Sequence, residues 1–416
     1  MTDFRGVERS PFVCSVVNSV CARYQSSVPK EEPQSFRQFT DISVRLASPE
    51  RLQPKPDVKA LQFGKYFTDH MLKIEYHVRA GGWQQPVICP LEYLSLHPAA
   101  KVLHYAVELF EGMKAYRGQD GVIRIFRPEL NMLRMNRSAM RMGLPQFDSE
   151  EFIKCMSRLI SIDSEWVPHS EAASLYIRPT LIGTEPTLGV SEPDSALLYV
   201  ILCPVGPYFG QSAPESVALL ADPSFVRAWP GGVGDKKVGS NYGPTIQVAK
   251  AAASRGFHQV LWLYGEDHQV TEAGTMNIFV FIINDDGEKE LVTAPLNGLI
   301  LPGITRLSIL QLAKEWNQYK VSERVITMPE LKRLNDDGRV SRVYQFNVPG
   351  FQQRAVAVAI VVAVAIVFAV AIVFAVASVF AVAIVFAVAI VFAMAIVFAV
   401  AIVFAVASVL GMVDRV

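Results

Sequence analysis

The feature that most limits how this chain can fold is an uncharged repeat at its carboxyl-terminal end. No charged residue occurs from Ala355 to Val413, and the hexapeptide AVAIVF recurs there with few changes. A period of six matches neither the helical turn nor the alternation of a half-buried strand, so no polar face forms in either geometry. The sequence therefore predicts a folded region that ends near residue 353 and a separate low-complexity apolar tail over 354–416.

Several interpretations of this tail stay open. About 20 apolar residues suffice for one membrane span, so its length would cross a bilayer about twice, but no turn residue divides it. A long, charge-free, β-branched run is also a strong aggregation signal. A translated DNA repeat or a misjoined exon accounts for the hexapeptide pattern better than a membrane anchor does. Membrane association is expected only if the tail is a genuine part of the protein.

The chain from residue 36 to residue 353 has the pattern of a globular α/β protein. Its length allows two domains, which we place at 36–209 and 210–353. One predicted helix carries Leu307, Leu310, Ala313 and Trp316 on a single apolar stripe, and a second turns Phe152, Met156, Leu159 and Ile160 inward. Apolar runs bounded by Gly, Pro and Asp predict strands at 196–206, 216–222, 259–265 and 276–284.

Residues 1–35 are polar and serine-rich. Three arginines and a short apolar piece fit an organellar transit peptide, although Asp3 and Glu8 are acids that such peptides avoid. The segment CARYQSS looks like a transit cleavage region, so we expect a mitochondrial location, with the cytoplasm as the alternative. A disordered amino terminus that carries no address is the competing interpretation.

Charge and cysteine content narrow the class of partner. The chain has 39 basic and 39 acidic residues, so no net field attracts nucleic acid or an acidic membrane face. A small-molecule partner follows as the expectation. There is no CxxC pair and no histidine pair at metal-ligand spacing, which favours a reducing compartment and no metal site. The scattered cysteines are Cys14, Cys21, Cys89, Cys155 and Cys203.

Two segments in the second half suggest a chemistry. The glycine-rich stretch GGVGDKKVGSNYGP contains Lys236 and Lys237, and VTEAGTMNIFVF places the lone carboxylate of Glu272 before an apolar strand. A lysine can form a Schiff base with pyridoxal phosphate, and an acid facing the ring nitrogen keeps that ring protonated. Along an extended segment only one of two adjacent lysines can enter a pocket. From the residues alone, solvated turn lysines and a surface acid are equally compatible.

An anion site is a further requirement of a phosphate cofactor. In LPGITRLS, Gly303 and the amides of Ile304 and Thr305 precede a predicted helix, where unpaired N–H groups and the helix dipole favour phosphate. Arg134 is a candidate second anchor, although arginines on such helices are commonly surface charges or core-edge contacts. A plain helix start after a Pro-Gly turn is the alternative.

Taken together, these segments resemble the branched-chain amino acid aminotransferases, a fold-type IV pyridoxal phosphate group. The resemblance implies an α/β fold with a small α+β domain, a larger barrel-like cofactor-binding domain, pyridoxal 5'-phosphate as cofactor and a homodimer. It extends over about 60–343. The segments that carry it are FTDHML, LFEGMKAYRG, RPTLIGTEPTLGVS and LCPVGPYF, followed by GGVGDKKVGSNYGP, TEAGTMNIF and LNGLILPGITR.

The resemblance also implies residue roles. Lys237 rather than Lys236 is the Schiff-base lysine, Tyr242 donates to the cofactor's ring oxygen, and Glu272 pairs with the pyridine nitrogen. The phosphate ligands are Arg134 and the backbone of Ile304 and Thr305, supported by Arg227. An apolar side-chain pocket, partly supplied by a second subunit, is lined by Phe63, Tyr105, Phe110, Tyr176, Tyr208 and Thr275, with Arg178 near its entrance.

Such a pocket favours leucine, isoleucine and valine through buried apolar area, and it must also accept glutamate and 2-oxoglutarate to regenerate the cofactor. The chain departs from the family after residue 344. The family continues there through a Gly-Ser-Gly-Thr-Ala turn that contacts phosphate and substrate carboxylate, and then a CxxC pair. Here Pro349 lacks an amide hydrogen and the repeat follows, so the large domain is truncated. The alternative hypothesis is therefore a catalytically impaired, membrane-associated or aggregation-prone variant.

Overall fold

The computed structural model of the protein describes residues 39–170, 172–206, 217–346 and 355–356. Its strands belong to two separate sheets, one formed before residue 206 and the other after residue 217. The predictions for the amino-terminal segment, Tyr208, Pro349 and nearly all of the tail lie outside the described residues. Within them, no helix is long and apolar enough to span a bilayer.

The first sheet is mostly antiparallel and has the order β1-β4-β2-β9-β8-β6-β7, with β3 paired to β2 and β5 paired to β8. The pairing of β1 with β4 is parallel. Long, buried β8 and β9 form its centre. The strands are β1 (Ser43–Val44), β2 (His70–His77), β3 (Gly82–Trp83), β4 (Val87–Pro90), β5 (Glu108–Phe110), β6 (Met113–Arg117), β7 (Ile123–Ile125), β8 (Ser174–Gly183) and β9 (Ser195–Val205).

Three helices accompany this sheet: α1 (Lys101–Tyr105), α2 (Pro128–Arg141) and α3 (Ser149–Ile162). The start of α3 is capped by the Asp148 carboxylate, which accepts hydrogen bonds from the amides of Glu150 and Glu151 at 2.8 and 3.0 Å. As predicted, α3 turns its apolar stripe inward, and α2 and α3 share one continuous core with the sheet.

The second sheet has the order β10-β11-β12-β13-β14-β15, and β16 pairs with both β13 and β17. Its β17 consists of the first two residues of the repeat, which lie antiparallel to β16. The elements are β10 (Leu219–Ala221), α4 (Thr245–Ser254), β11 (Gln259–Tyr264), β12 (Gln269–Ala273), β13 (Met276–Ile283), β14 (Lys289–Thr293), α5 (Ile304–Trp316), β15 (Lys320–Glu323), α6 (Met328–Asp336), β16 (Val340–Phe346) and β17 (Ala355–Val356).

The four apolar runs predicted as strands are confirmed as β9, β10, β11 and β13. The predicted helix at LPGITRLS is confirmed as α5, and Leu310 and Ala313 are buried against β13 and β14. The inward position expected for Trp316 is wrong, because its side chain is 60% exposed. It is the last residue of α5, and Asn317 beyond it adopts a left-handed conformation that ends the helix.

The two sheets meet along α2 and α5. Arg127, just before α2, donates hydrogen bonds to Ser308 Oγ at 2.7 Å and Gln311 Oε1 at 2.8 Å on α5. Arg134 on α2 donates from Nη1 to the carbonyl of Pro302, immediately before α5, at 3.0 Å. The amino-terminal end of α5 therefore lies at the junction between the two sheets.

Candidate active site

The lysine-containing loop lies at this junction. Lys237 accepts a hydrogen bond at its carbonyl from the amide of Phe110 at 3.0 Å, and its own amide donates to Ser138 Oγ at 3.1 Å. Its Nζ donates to the hydroxyl of Tyr242 at 3.2 Å and lies 5.0 Å from the centre of the Phe110 ring. Backbone contacts to the first sheet thus hold the amine against two aromatic rings.

The neighbouring lysine points elsewhere. Lys236 forms an ion pair with Asp235, with Nζ 2.7 Å from Oδ2, and Arg137 lies 3.7 Å from the same carboxylate oxygen. Asn241 shapes the loop by donating to the carbonyls of Val233 and Lys236 at 2.8 Å each. Of the two adjacent amines, only that of Lys237 contacts the Tyr242 hydroxyl.

Glu272 provides a buried carboxylate on β12. Its Oε2 lies 2.6 Å from Arg227 Nη2, and its Oε1 accepts hydrogen bonds from Asn277 Nδ2 and the amide of Leu301 at 2.9 Å each. Burial raises the pKa of Glu272, and the charge of Arg227 opposes this shift without cancelling it. The side chain is therefore a carboxylate whose negative charge is only partly compensated.

The start of α5 lies close to this carboxylate. Gly303 is the N-cap, and no side chain caps the helix there, so the amides of Ile304 and Thr305 belong to a first turn without intrahelical acceptors. A Cβ atom on Gly303 would lie 2.0 Å from Asn277 Oδ1, which excludes any larger residue unless Asn277 moves. The amides and the helix dipole favour an anion at this point.

Arg134 also reaches the start of α5, but most of its guanidinium is bound to the carboxylate of Glu111. Its Nε and Nη2 donate to the two carboxylate oxygens of Glu111 at 2.7 and 2.8 Å, and Asn131 Nδ2 donates to Glu111 at 2.8 Å. Burial raises the pKa of Glu111, but the charge and hydrogen bonds of Arg134 outweigh it, and the net pKa is lowered. Only Nη1, which donates to Pro302, points toward the start of α5.

Arg227 contacts the buried carboxylate of Glu272, and its expected support of the phosphate stays a prediction. Besides its ion pair with Glu272, its Nη2 donates to the carbonyls of Gly234 and Leu299 at 3.2 Å each. Its buried Nε has no hydrogen-bond partner among the described residues. The structure places Arg227 on the buried carboxylate, because an isolated buried anion requires a nearby cation.

Four of the expected pocket residues form one cluster. The ring of Phe63 packs edge-on against that of Tyr176, with centroids 5.0 Å apart. The Arg178 guanidinium lies 4.6 Å from the centre of the Phe110 ring, and its Nη2 donates to the Tyr176 hydroxyl at 2.9 Å. This cluster joins the Lys237 amine through the Phe110 ring, which both cations contact.

The remaining expected pocket residues are placed differently. Tyr105 is 37% exposed, and its hydroxyl donates to the carbonyl of Leu188. Thr275 is exposed in the two-residue turn between β12 and β13. Tyr208 lies outside the described residues.

Sequence reasoning missed two residues of this site. Glu111 binds Arg134, and Asn277 binds Glu272. Asn277 was predictable from the pattern EAGTMN, because a two-residue turn places residues 272 and 277 directly opposite each other on one face of a hairpin. Glu111 had only a weak signal, a single acid inside an apolar segment.

The donor set fits pyridoxal 5'-phosphate. The Lys237 amine suits an aldehyde, the uncapped first turn of α5 suits a phosphate, and the partly compensated Glu272 carboxylate suits a protonated ring nitrogen. Glycine at position 303 allows the side chain of Asn277 to pack against the backbone just before that turn. These three groups lie within one junction between the sheets.

Comparison with known proteins places the chain in a family. The family described as amino-transferase class IV matches residues 108–336. The mitochondrial branched-chain-amino-acid aminotransferase of Mus musculus is 56% identical over 310 residues, which cover 74% of this chain and 78% of that protein. The cytosolic one of Mus musculus is 57% identical over 293 residues, which cover 70% of this chain and 76% of that protein.

Solved structures agree with the fold-type IV expectation. The branched-chain amino acid aminotransferase of Escherichia coli has a TM-score of 0.54 at 26% identity, and the match covers 65% of this chain and 83% of that chain. The T.th. branched-chain amino acid aminotransferase with pyridoxamine 5'-phosphate has a TM-score of 0.52 at 25% identity, and the match covers 68% of this chain and 84% of that chain. By sequence identity over most of its length and by fold, this chain belongs to the branched-chain amino acid aminotransferases of class IV.

Proposed function

We propose that this protein transfers the amino group of leucine, isoleucine or valine to 2-oxoglutarate, with pyridoxal 5'-phosphate as cofactor. The observation that carries the proposal is the junction between the sheets, where the Lys237 amine contacts Tyr242 and Phe110 close to the start of α5. The identity above 50% to mitochondrial and cytosolic branched-chain-amino-acid aminotransferases supports the substrate class.

When bound, the cofactor supplies an electron sink that stabilises negative charge on the substrate α-carbon. Lys237 would hold the cofactor covalently, and its free amine would take the α-proton as a general base. The Tyr242 hydroxyl accepts a hydrogen bond from Nζ at 3.2 Å, and its own O–H would donate to the cofactor's ring oxygen. The fixed Lys237 backbone keeps the amine at one location through both proton transfers.

Glu272 is proposed to receive the hydrogen bond of the protonated ring nitrogen. Its charge is costly in the buried site, and a cationic ring would relieve that cost. Arg227 keeps the carboxylate ionised from the opposite side. We therefore assign Arg227 to Glu272, and we assign the phosphate to the amides of Ile304 and Thr305 together with Arg134.

Substrate selection is proposed to depend on the cluster beside Lys237. Phe63, Phe110 and Tyr176 offer apolar surface to a branched side chain, at about 25 cal/mol per Å² of buried area. Arg178, stacked over Phe110 and Tyr176, provides the positive charge that an acidic side chain needs. One pocket then accepts both substrate types in turn.

Three further assignments are proposals. A homodimer would cover the exposed side chains of Tyr105 and Leu188, which lie together on the outer surface. Relatives from both mitochondria and cytosol match this chain, and we propose a mitochondrial location on the basis of the CARYQSS segment. The division into a small domain over 36–209 and a cofactor-binding domain over 210–353 likewise follows the two sheets.

The test uses the purified full chain and the two adjacent lysines as a matched pair. Pyridoxal 5'-phosphate is added, the visible spectrum is recorded, and borohydride reduction followed by peptide mass spectrometry locates the labelled residue. Leucine and 2-oxoglutarate are then added, and glutamate is measured. We expect Lys237→Ala to abolish labelling and glutamate formation, and Lys236→Ala to retain both.

Labelled wild-type protein that forms no glutamate would favour the catalytically impaired variant. Equal labelling of Lys237→Ala and wild type would contradict the assignment of the lysine. Absence of labelling in the wild-type chain would contradict the cofactor assignment as a whole.

A further inference from the structure

Asn277 connects two parts of the candidate site that the proposed function treats separately. Its Nδ2 donates to Glu272 Oε1 and to the carbonyl of Leu301, at 2.9 Å in both cases. The Leu301 amide donates to the same Glu272 oxygen. Leu301 precedes Gly303, the N-cap of α5, by two residues. The amide group of Asn277 therefore binds both the β12 carboxylate and the segment that leads into α5.

The other side of the same amide group faces Gly303. Asn277 is 6% exposed, and a Cβ atom on Gly303 would lie 2.0 Å from its Oδ1. Gly303 has a φ of −67°, which any residue adopts, so backbone conformation does not require glycine there. The requirement for glycine arises mainly from contact with Asn277, because the next neighbour, Arg306 Cβ, would be 3.3 Å away, a tight contact that a small shift relieves.

We propose that Asn277 is a positioning residue that sets the distance between Glu272 and the first turn of α5. This inference rests on the proposed function, in which Glu272 faces the ring nitrogen and the first turn binds the phosphate of one rigid cofactor. A rigid ligand held at two points requires a fixed spacing between them, and small displacements of such groups weaken binding strongly. Asn277 supplies that spacing through two hydrogen bonds and one steric contact.

The first experiment measures pyridoxal 5'-phosphate affinity of full-length variants. Asn277→Ala removes two hydrogen bonds, one of them to a charged group, so we expect affinity about tenfold weaker. Asn277→Asp keeps the shape but removes the donor and places a second carboxyl beside Glu272, so we expect a larger loss. A purely steric role for Asn277 predicts that the aspartate variant behaves like wild type.

Asn284 provides the matched control. It is also a buried asparagine associated with β13, but its Oδ1 accepts hydrogen bonds from the amides of Asp286 and Glu288 in the turn to β14. Asn284→Ala is expected to lower the melting temperature while cofactor affinity stays within about twofold of wild type, because the two sites share no partner.

A pH profile separates positioning from general loss of stability. A hydrogen bond to the ionised form of Glu272 lowers its pKa, so its removal in Asn277→Ala raises that pKa further. The acid limb of cofactor binding is then expected at higher pH in Asn277→Ala than in wild type. The Asn284→Ala profile is expected to coincide with that of wild type.

The second experiment is a double-mutant cycle with Gly303. Gly303→Ala alone inserts a Cβ atom onto Asn277 Oδ1, so we expect cofactor affinity at least about tenfold weaker and a lower melting temperature. Asn277→Ala removes the clashing atom. The double variant is therefore expected to be no worse than Asn277→Ala alone in both measurements.

Additive effects in the cycle would overturn the inference, as would an Asn277→Asp variant with wild-type affinity or Asn277→Ala indistinguishable from Asn284→Ala. These results leave the proposed function intact, provided that wild type still labels at Lys237. A wild-type chain that binds no pyridoxal 5'-phosphate overturns the proposed function and with it the cofactor role of Asn277. The melting temperatures of the cofactor-free variants would still decide whether Asn277 and Gly303 are coupled.

Discussion

Two buried carboxylate–arginine pairs flank the junction between the sheets, and they differ in how well the charge is compensated. Glu111, beside β5, makes a two-point contact with Arg134 and a further hydrogen bond with Asn131. Glu272, on β12, has a one-point contact with Arg227 and accepts hydrogen bonds from Asn277 Nδ2 and the amide of Leu301. Burial raises the pKa of both acids, yet the net shift is downward for Glu111 and upward for Glu272.

This difference distinguishes a carboxylate whose charge is fully paired within the protein from one whose pKa stays raised by burial. A carboxylate that is fully paired when the protein folds has little to gain from a ligand. A carboxylate left with uncompensated charge in a buried site gains from any cation that enters. In the proposed function, the second sheet therefore carries the acid that would interact with the cofactor, and the first sheet carries the acid that orients Arg134.

The largest expected effect is that of Glu111→Gln on stability. Loss of the carboxylate leaves Arg134 buried without its counter-ion, which costs about 3–5 kcal/mol in the free energy of unfolding. Urea unfolding of the full chain without cofactor measures it, and Glu129→Gln, which changes an exposed acid in the first turn of α2, is the control. Equal midpoints for the two variants would remove the distinction drawn between the ion pairs.

The pH dependence of this effect has a definite sign. Because the folded-state pKa of Glu111 lies below its ordinary value of 4.5, the pair stabilises the fold above that value. The stabilisation is lost as the pH falls through the folded-state pKa. The difference between wild type and Glu111→Gln is therefore expected to narrow in acid, and a difference that widens there would contradict the assignment.

Arg134→Lys is expected to have the next largest effect. Lysine keeps the charge but cannot make the two-point contact with Glu111 and also donate to the carbonyl of Pro302. We expect a loss of about 1.5–3 kcal/mol in the free energy of unfolding. The exposed Arg79→Lys serves as the control in the same urea titration. Stability equal to that of the control would mean that the two-point geometry is unimportant.

Local pattern was sufficient to predict much of the fold. Strand-length apolar runs predicted β9, β10, β11 and β13, because buried strands are apolar along their whole length. The pairing of β5 with β8 and the division into two sheets were not predictable from periodicity, since they depend on contacts between distant segments. The inward position of Trp316 was predicted wrongly for a related reason. Helical spacing does not indicate where the neighbouring sheet ends.

The features of the candidate site likewise divide into those that a local pattern predicts and those that depend on contacts between distant segments. Alternation along an extended segment predicted that only one of Lys236 and Lys237 enters a pocket, and only Lys237 reaches the Tyr242 hydroxyl. The contact of Arg227 with Glu272 was not predictable, because no local spacing relates them. How far the charge of Glu272 is compensated depends on residues that lie close in space but far apart in the sequence. The sequence therefore indicated an acid at this position, but not how costly its ionised form would be.

Glu272→Gln is expected to alter stability less than Glu111→Gln does, by about 1 kcal/mol in the cofactor-free chain. Ionisation of Glu272 is already disfavoured by burial, and Arg227 retains hydrogen bonds to the carbonyls of Gly234 and Leu299. Glutamate formation is nevertheless expected to fall at least about 100-fold, because the amide cannot hold the ring nitrogen proton. A stability loss as large as that of Glu111→Gln would contradict the comparison.

The pH dependence of Glu272 has the opposite sign from that of Glu111. Its folded-state pKa lies above 4.5, so the wild-type fold loses stability as the pH rises from that value through the folded-state pKa. The Glu272→Gln chain lacks this loss. Urea midpoints at several pH values for both glutamine variants would therefore diverge from wild type in opposite directions.

The smallest expected effect concerns Glu108. It is a half-buried acid that forms no close ion pair with the residues that the structure describes, so it extends the comparison to an unpaired carboxylate. Burial raises its pKa, and the charge of Arg178 and the amide of Gly239 oppose the shift. Below the ordinary value of 4.5 the acid is neutral in folded and unfolded chains, and the cost of its charge appears as the pH rises. Glu108→Gln is therefore expected to stabilise the chain at neutral pH, by at most about 0.5 kcal/mol once solvent screening is allowed for.

Thermal melting near pH 7.5 and near pH 4 tests this for Glu108→Gln, and the exposed Glu75→Gln is the control. The gain should be present at the higher pH and absent at the lower one. The side chain of Glu108 packs closely against Gly239, where a Cβ atom would lie 1.5 Å from Glu108 Oε1. Glutamine is therefore chosen at position 108, because it preserves the shape of the side chain. A destabilised Glu108→Gln at neutral pH would place Glu108 with Glu111, as a paired acid whose charge supports the fold, rather than with Glu272.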